Sequence, residues 1–443
     1  CSNSQLFSTV AILSNFESHS VRNYFIRSLV LFFRRPLSMA ISTAERGSYF
    51  LSFLFLVNLM HFDVSFAGPC VLSPNAVLDS CTVSVNTVSS YSCVGCAFSN
   101  VDFVAADDVH LVLNGVDFSS SNFTDVSFVG ETVAFLGRNG VSPDFSNTKF
   151  DTVVFRAQAG VDGGGGIYFD FGTTFAAATL SNVSFVLDGE GYMNTNKSGI
   201  LFDECDFSGA TLSNIDIDVN WSATIETPAA AIVHFYAPAF NNAVIQAMHI
   251  WVRESAVWTN ENGTMFGILF EGQQGSEVGF QDFTILMEGS LLAINGNAHG
   301  IAFKEHHIVQ FDNIDFTVAS VSLIQGDSVK GIAFENCVYD DWVNVSIELS
   351  GNLMSSDMPS LLIGNEENGL KHGSFGVHVT GYFNSATTFE DIYVGVSGIV
   401  TSKAAAIGMV RIYSYPGYLV RSAAKTTDTL FTKFSFFSHS WSI

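Results

Sequence analysis

Basic residues are scarce in this chain: Lys and Arg number 18 against 42 Asp and Glu, for a formal net charge of −24. So acidic a surface repels phosphate backbones and anionic membranes, and neither is expected as a partner. Proline is scarce as well, eight in 443 residues, and no Pro-, Gly- or Ser-rich linker divides the chain. One elongated domain therefore fits the length as well as several compact ones. Alanine-glutamate-lysine stretches with apolar residues three and four apart are missing, which speaks against a helical repeat. The apolar run YFLSFLFLVNLM from Tyr49 has 12 residues, too few to cross a bilayer comfortably, so no transmembrane span is expected in the mature chain.

Phenylalanine is abundant (42), and short Val/Ile/Phe runs alternate with Asn, Ser, Asp and Gly. That is an all-β composition. Residues 1–38 begin at Cys1, hold no methionine and show no repeat, and are expected to be an upstream extension outside the fold. From Met39 the chain shows Arg46, the apolar run, then Ser65 and Ala67 before Gly68, the pattern of a secretory signal peptide over residues 39–67. The expected location is secreted or on the extracellular surface. Beyond Ala67 there are six cysteines, and Cys70, Cys81, Cys93 and Cys96 crowd together. In an oxidising compartment such a cluster forms two disulfides rather than a zinc site, which would need two paired knuckles where only CVGC at Cys93 is one. Six sequons, at Asn122, Asn182, Asn196, Asn220, Asn262 and Asn344, would make a eukaryotic secreted chain a glycoprotein.

The chain repeats itself. Gly-Ile-x-Phe starts at Gly166, Gly199, Gly267, Gly300 and Gly331, with gaps of 33, 68, 33 and 31 residues, and AIVH at Ala231 fills the double gap. Asn-(Val/Ile)-(Ser/Asp)-(Phe/Ile) follows four of these glycines by 13 to 16 residues, at Asn182, Asn214, Asn313 and Asn344. Two motifs keeping one offset define a stacked unit of 31–35 residues, and alternation in twos, as in NIDIDV, makes that unit a coil of strands. Stacking then turns each repeat position into a ladder: Phe169, Phe202, Phe270, Phe303 and Phe334 inward, and the four asparagines at a bend. Cys205 and Cys337, six residues after their glycines, read as small buried groups. VDFSSSNFTDVSF, FSNTKFDTVVF and CDFSGATLSNIDI space inward residues by five and look like the pentapeptide-repeat pattern.

Together these patterns resemble the right-handed parallel β-helix of the pectin-lyase-like superfamily over roughly residues 95–420, a resemblance of architecture. The expected division is a Cys-rich N-terminal cap at 68–97, the parallel β-helix (β-solenoid) at 98–421 and a C-terminal tail or cap at 422–443. The best-known members cleave acidic polysaccharides. Polygalacturonases carry Asn-Thr-Asp, Asp-Asp, Gly-His-Gly and Arg-Ile-Lys in order, and this chain has Asn313-Ile314-Asp315, Asp340-Asp341, His372-Gly373 and Arg411-Ile412-Tyr413. The resemblance thus implies Asp315, Asp340, Asp341, His372 and Arg411 as catalytic residues, with Ile314, Lys371 and Tyr413 departing from the pattern.

The repeat opposes that chemistry. Inverting hydrolysis needs its carboxylates about 6.5–9.5 Å apart. Repeat offsets stack Asp315 near Ser346 and Asp341 near Gln310, five strand residues apart, about 16 Å. A lyase needs a positioned Lys or Arg base and usually calcium, and the basic residues beyond Ala67 are scattered. Four residues after the glycines stand Asp170, Asp203, Glu271, Lys304 and Glu335, a solvated turn in which Asp170, Asp203 and Glu204 are the residues that could share calcium. No other cofactor is expected. His299, His306 and His307 read as a surface group rather than metal ligands. The expectation is a non-catalytic solenoid for adhesion, structure or binding, with extracellular polysaccharide or cell-surface glycan as partner; the alternative is a polysaccharide hydrolase or lyase.

Overall fold

Strands alternate in twos, so inward residues spaced by five need an extra residue somewhere. The computed structural model supplies it: Asp125, between Phe123 and Phe128, takes a left-handed φ of 52° and bends the strand without turning inward. The same position is left-handed in every coil: Ser80, Asn100, Asp125, Thr152, Asn182, Asn214, Ala247, Asp282, Asn313 and Asn344 all have φ between 51° and 59°. Their strand neighbours pair in register from one coil to the next. Asn and Asp suit this conformation because a short polar side chain compensates the backbone locally. The amides also link coils: Asn214 Nδ2 donates to Asn182 Oδ1 at 3.2 Å, and Asn344 Nδ2 to Asn313 Oδ1 at 2.9 Å.

The structure describes residues 68–355, apart from 71, 74–75, 90, 107–109, 159–164, 196–197, 226, 273–276 and 320, together with strands between 375 and 438. The chain divides into two units, Cys1–Ser65 and Phe66–Ile443; residues 1–67, with the extension and the leader read from the sequence, lie outside the described residues. Among the described residues every regular element is a strand and no helix occurs. The fold is an all-β parallel solenoid.

Three sides make up a coil. Side A holds Thr132–Leu136, Gly166–Phe169, Ile200–Asp203, Ala229–Tyr236, Thr264–Glu271 and Ala298–Lys304. Side B holds the bent strands, among them Asn122–Gly130, Lys149–Gln158, Val244–Val252, Glu277–Met287 and His307–Val318. Side C begins where Tyr192–Thr195 pairs with Ser222–Ile225 and continues through Val257–Asn260, Ser290–Ala293, Leu323–Gly326 and Asn352–Ser355. A short corner between side A and side B is marked by single bridges from Ser92 through Asp117, Asp144, Thr174 and Asp206 to Ala239. Adding side C lengthens the coil: the left-handed row steps by 20 residues from Ser80 to Asn100 and by 31 from Asn313 to Asn344. At the far end Leu430–Phe431 and Phe434–Ser438 pair antiparallel.

Inside, rings stack on rings. On side A, Phe135, Phe169, Phe202, Phe235, Phe270, Phe303 and Phe334 follow one another at 4.5–5.2 Å between centroids with interplanar angles of 10° or less. Register corrects the sequence alignment of the double gap by one residue, because Phe202 pairs with Phe235. Ile232 thus takes the glycine place, Phe235 completes the stack, and Tyr236 rather than Phe235 interrupts the acidic row. The glycines have a steric cause: a Cβ on Gly300 would lie 2.4 Å from the Gly331 carbonyl oxygen, and one on Gly267 2.5 Å from that of Gly300. Cys205 and Cys337 are buried thiols, while the four clustered cysteines pair as Cys70–Cys81 and Cys93–Cys96, with Cα atoms 5.5 and 5.4 Å apart.

Two substitutions test this architecture. Phe303→Ala removes a fully buried ring between Phe270 and Phe334 and should cost about 3–5 kcal/mol in denaturant unfolding; an unchanged midpoint would mean that the stack faces solvent. Ala247→Asn places a residue suited to φ 54° where the ladder lapses and should raise stability by about 1 kcal/mol.

Candidate functional site

The outward face of side B is regular and largely polar, with Val129, Val186 and Leu286 in the column of Trp251. Rows in register run Asp216, His249, Thr284, Asp315, Ser346 and Asp218, Trp251, Leu286, Thr317, Glu348. One large aromatic stands out: Trp251 is 37% exposed between Ile250 and Val252, which point inward. Three contacts fix it. The Arg253 guanidinium carbon lies 3.5 Å from the Trp251 ring centroid. Arg253 Nε and Nη2 donate to the two carboxylate oxygens of Asp218, each at 2.7 Å. Trp251 Nε1 donates to Glu288 Oε2 at 2.8 Å. The Asp218 fork, against a smaller effect of burial, holds the Arg253 guanidinium above its usual range.

The outward face of side A differs. Ala231, Phe266, Leu269, Ala302 and Ala333 form a second buried apolar cluster, separate from the interior. Charges lie around it: Lys304 Nζ is 4.3 Å from the Phe266 centroid, and His299 stacks on the same ring at 4.8 Å. His234 Nε2 stands 3.5 Å from Glu271 Oε2, long for a hydrogen bond. That contact, opposed by burial and helped by Lys304 and His306, lowers the Glu271 carboxyl. Burial alone would raise Glu335, but the Lys330 ammonium bonded to it, with His299 and Lys304, outweighs burial and brings it down to about 2.

The residues singled out by the resemblance are spread along the solenoid. Asp315 pairs with Ser346 and Asp341 with Gln310, the stacking partners expected from the repeat, so five strand residues and the Asn313 bend separate the two carboxylates. Asp340 accepts a contact from His307 Nε2 at 3.0 Å, and the other ring nitrogen of His307 lies 3.6 Å from Glu277 Oε1. Arg411 stands on side A opposite His378, and His372 lies outside the described residues. Asp203 pairs with Tyr236, Asp170 Oδ2 accepts from the Gly137 amide at 3.3 Å, and Glu204 is left-handed. Among the described residues no three His, Cys, Asp or Glu side chains gather as a metal site, and Asp170, Asp203 and Glu204 are no exception.

Sequence reasoning missed Trp251, Arg253 and Glu288, which belong to no repeated motif. It also put His306 on the surface. The residue is 1% exposed, neither ring nitrogen has a hydrogen-bond partner, and it sits in the corner column of Cys337, since His307 pairs with Val338. Its offset from Gly300 is the one that places Cys205 and Cys337 after their own glycines, so the signal was present. Compared with known proteins, the chain matches no family model, no curated protein and no solved structure.

Burial, opposed weakly by Glu271, depresses the His306 imidazole from 6.5 to about 4. The unfolded chain then takes up a proton below pH 6.5 that the folded chain refuses until about pH 4, so stability falls as pH drops through that window. The loss should approach about 3 kcal/mol. Thermal unfolding between pH 7.5 and 4 should show it, and His306→Cys, the residue this corner carries one coil later, should flatten that part of the curve.

Proposed function

We propose that this chain is a secreted or cell-surface β-solenoid that binds polysaccharide without cleaving it, along the outward face of side B. The observation that carries the reading is the contrast between two long faces. Side A's outward apolar residues are buried, whereas side B offers exposed polar rows at the coil spacing of about 4.8 Å with an exposed indole among them. Hydroxyl-rich chains are recognised by such convergent polar groups around an aromatic anchor. The acidic composition supports the extracellular reading only by opposing nucleic acid and anionic membrane as competitors.

A second reading, a polysaccharide hydrolase or lyase using Asp315, Asp340, Asp341, His372 and Arg411, draws support from the His307–Asp340 contact at 3.0 Å. Against it stands the separation of Asp315 from Asp341 along the strand. One panel decides between them. Retention on immobilised neutral, acidic and amino-sugar polysaccharides, with no release of reducing or unsaturated ends, is the expected result. Turnover that disappears in Asp340→Asn or Asp341→Asn would replace binding by catalysis, and absence of both retention and turnover across the panel would remove both.

A further inference from the structure

Within the glycan-binding reading, on which this inference rests, we infer that Trp251 is the stacking centre of side B and that its ligand is a neutral, gluco-configured pyranose chain rather than a polyuronate. A pyranose with equatorial hydroxyls presents a flat C–H face to an aromatic ring, and its hydroxyls then meet polar groups at the ring's margin. Trp251 is prepared for this before any ligand arrives. Arg253 against its ring, the Asp218 fork behind Arg253 and Glu288 at Nε1 leave the indole little freedom to lose on binding. His249 and Thr284 flank it in the neighbouring row.

Charge selects the ligand. Beside the indole stand Asp218 and Glu288, and the nearest guanidinium, Arg253, is already committed to Asp218; Arg156, in the column of Trp251, lies three coils away. A uronate chain would bring a carboxylate at every sugar toward the two carboxylates beside the indole, a cationic chain finds Asp218 already paired with Arg253, and a neutral chain meets only hydrogen-bonding groups. An independent observation points to the same coil. It is the one where the repeat lapses: Ile232 stands in the glycine column, Tyr236 in the acidic row and Ala247 in the left-handed row. Local rules that hold in the coils directly above and below give way in this one coil, twice on the side-A strand Ala229–Tyr236 and once on the strand Val244–Val252 that carries Trp251.

The test uses the full chain and three hexasaccharides: cellohexaose, hexagalacturonate and the chitosan hexamer. Trp221, Trp258 and Trp342 are buried, so a change in tryptophan emission reports on Trp251 among the described residues. Cellohexaose should shift the emission and bind at least about tenfold tighter than hexagalacturonate at low salt, with the gap narrowing as salt rises. Trp251→Ala should weaken cellohexaose binding about tenfold or more with an unchanged melting temperature, and Arg253→Lys, which keeps the charge but loses the fork, should weaken it less. Equal binding of cellohexaose by Trp251→Ala, or tighter binding of either charged hexamer by the parent, overturns the inference. Retention on other polysaccharides alongside either result leaves the glycan-binding reading standing, so the two failures are told apart.

Discussion

One column of left-handed residues, at the bend of side B, governs this structure. A β-strand that ran straight would keep its inward residues at even spacings and could not turn the corner needed to close a coil. Inserting a single residue at φ near 54° bends each side-B strand while the hydrogen-bonded neighbours on either side stay in register with the coils above and below. Placing a non-glycine residue there costs about 1–2 kcal/mol unless its side chain compensates. Because the bend must fall at one height in every coil, the same compensation is needed ten times, and most of those places hold Asn, Asp, Ser or Thr. An amide on one coil then accepts from the next, which ties the local bend to the stack.

Register follows from the bend and decides what the two faces become. Inward columns are rings upon rings at 4.5–5.2 Å on side A, and each ring is held on both flat faces only if its neighbours are rings of like orientation. Close stacking also brings backbones together, which is why the side-A glycines face the carbonyls of the next coil. Outward columns obey no such demand. They collect most of the acidic residues, and like charges a coil spacing apart repel, so the rows are mixed with Ser, Thr, Asn and Gln rather than uniformly acidic.

The repeating parts of this chain were legible in its sequence because each is imposed once per coil. Gly-Ile-x-Phe gave the inward stack, and the asparagine motif gave the bend and the stacking partners of Asp315 and Asp341. Thr152 and Ala247 could not be read as members of the left-handed row, since their conformation comes from paired neighbours and not from their own preference. Phe235 was misaligned for a related reason: with Ile232 in place of glycine, AIVH offers no mark of where the column lies. Trp251, Arg253, Asp218 and Glu288 were invisible because their contacts join residues 35 to 37 apart through side chains that occur once.

What repeats serves the fold, and what does not repeat is free to serve something else. If stability alone had shaped the coil from Ala229 to Asn260, asparagine at 247 and glycine at 232 would agree with the columns on either side. Instead that coil departs from three columns and carries an exposed indole on the outward face of side B. A tryptophan 37% exposed gains less for folding than a buried one, and clamping it with a bidentate Arg–Asp pair and a carboxylate orders four side chains at an entropic cost that surface pairs return only in part. Departure from the repeat, exposure of part of the ring and its immobilisation fall together on one coil, and the proposed binding of an outside ligand by the strand Val244–Val252 would account for all three at once.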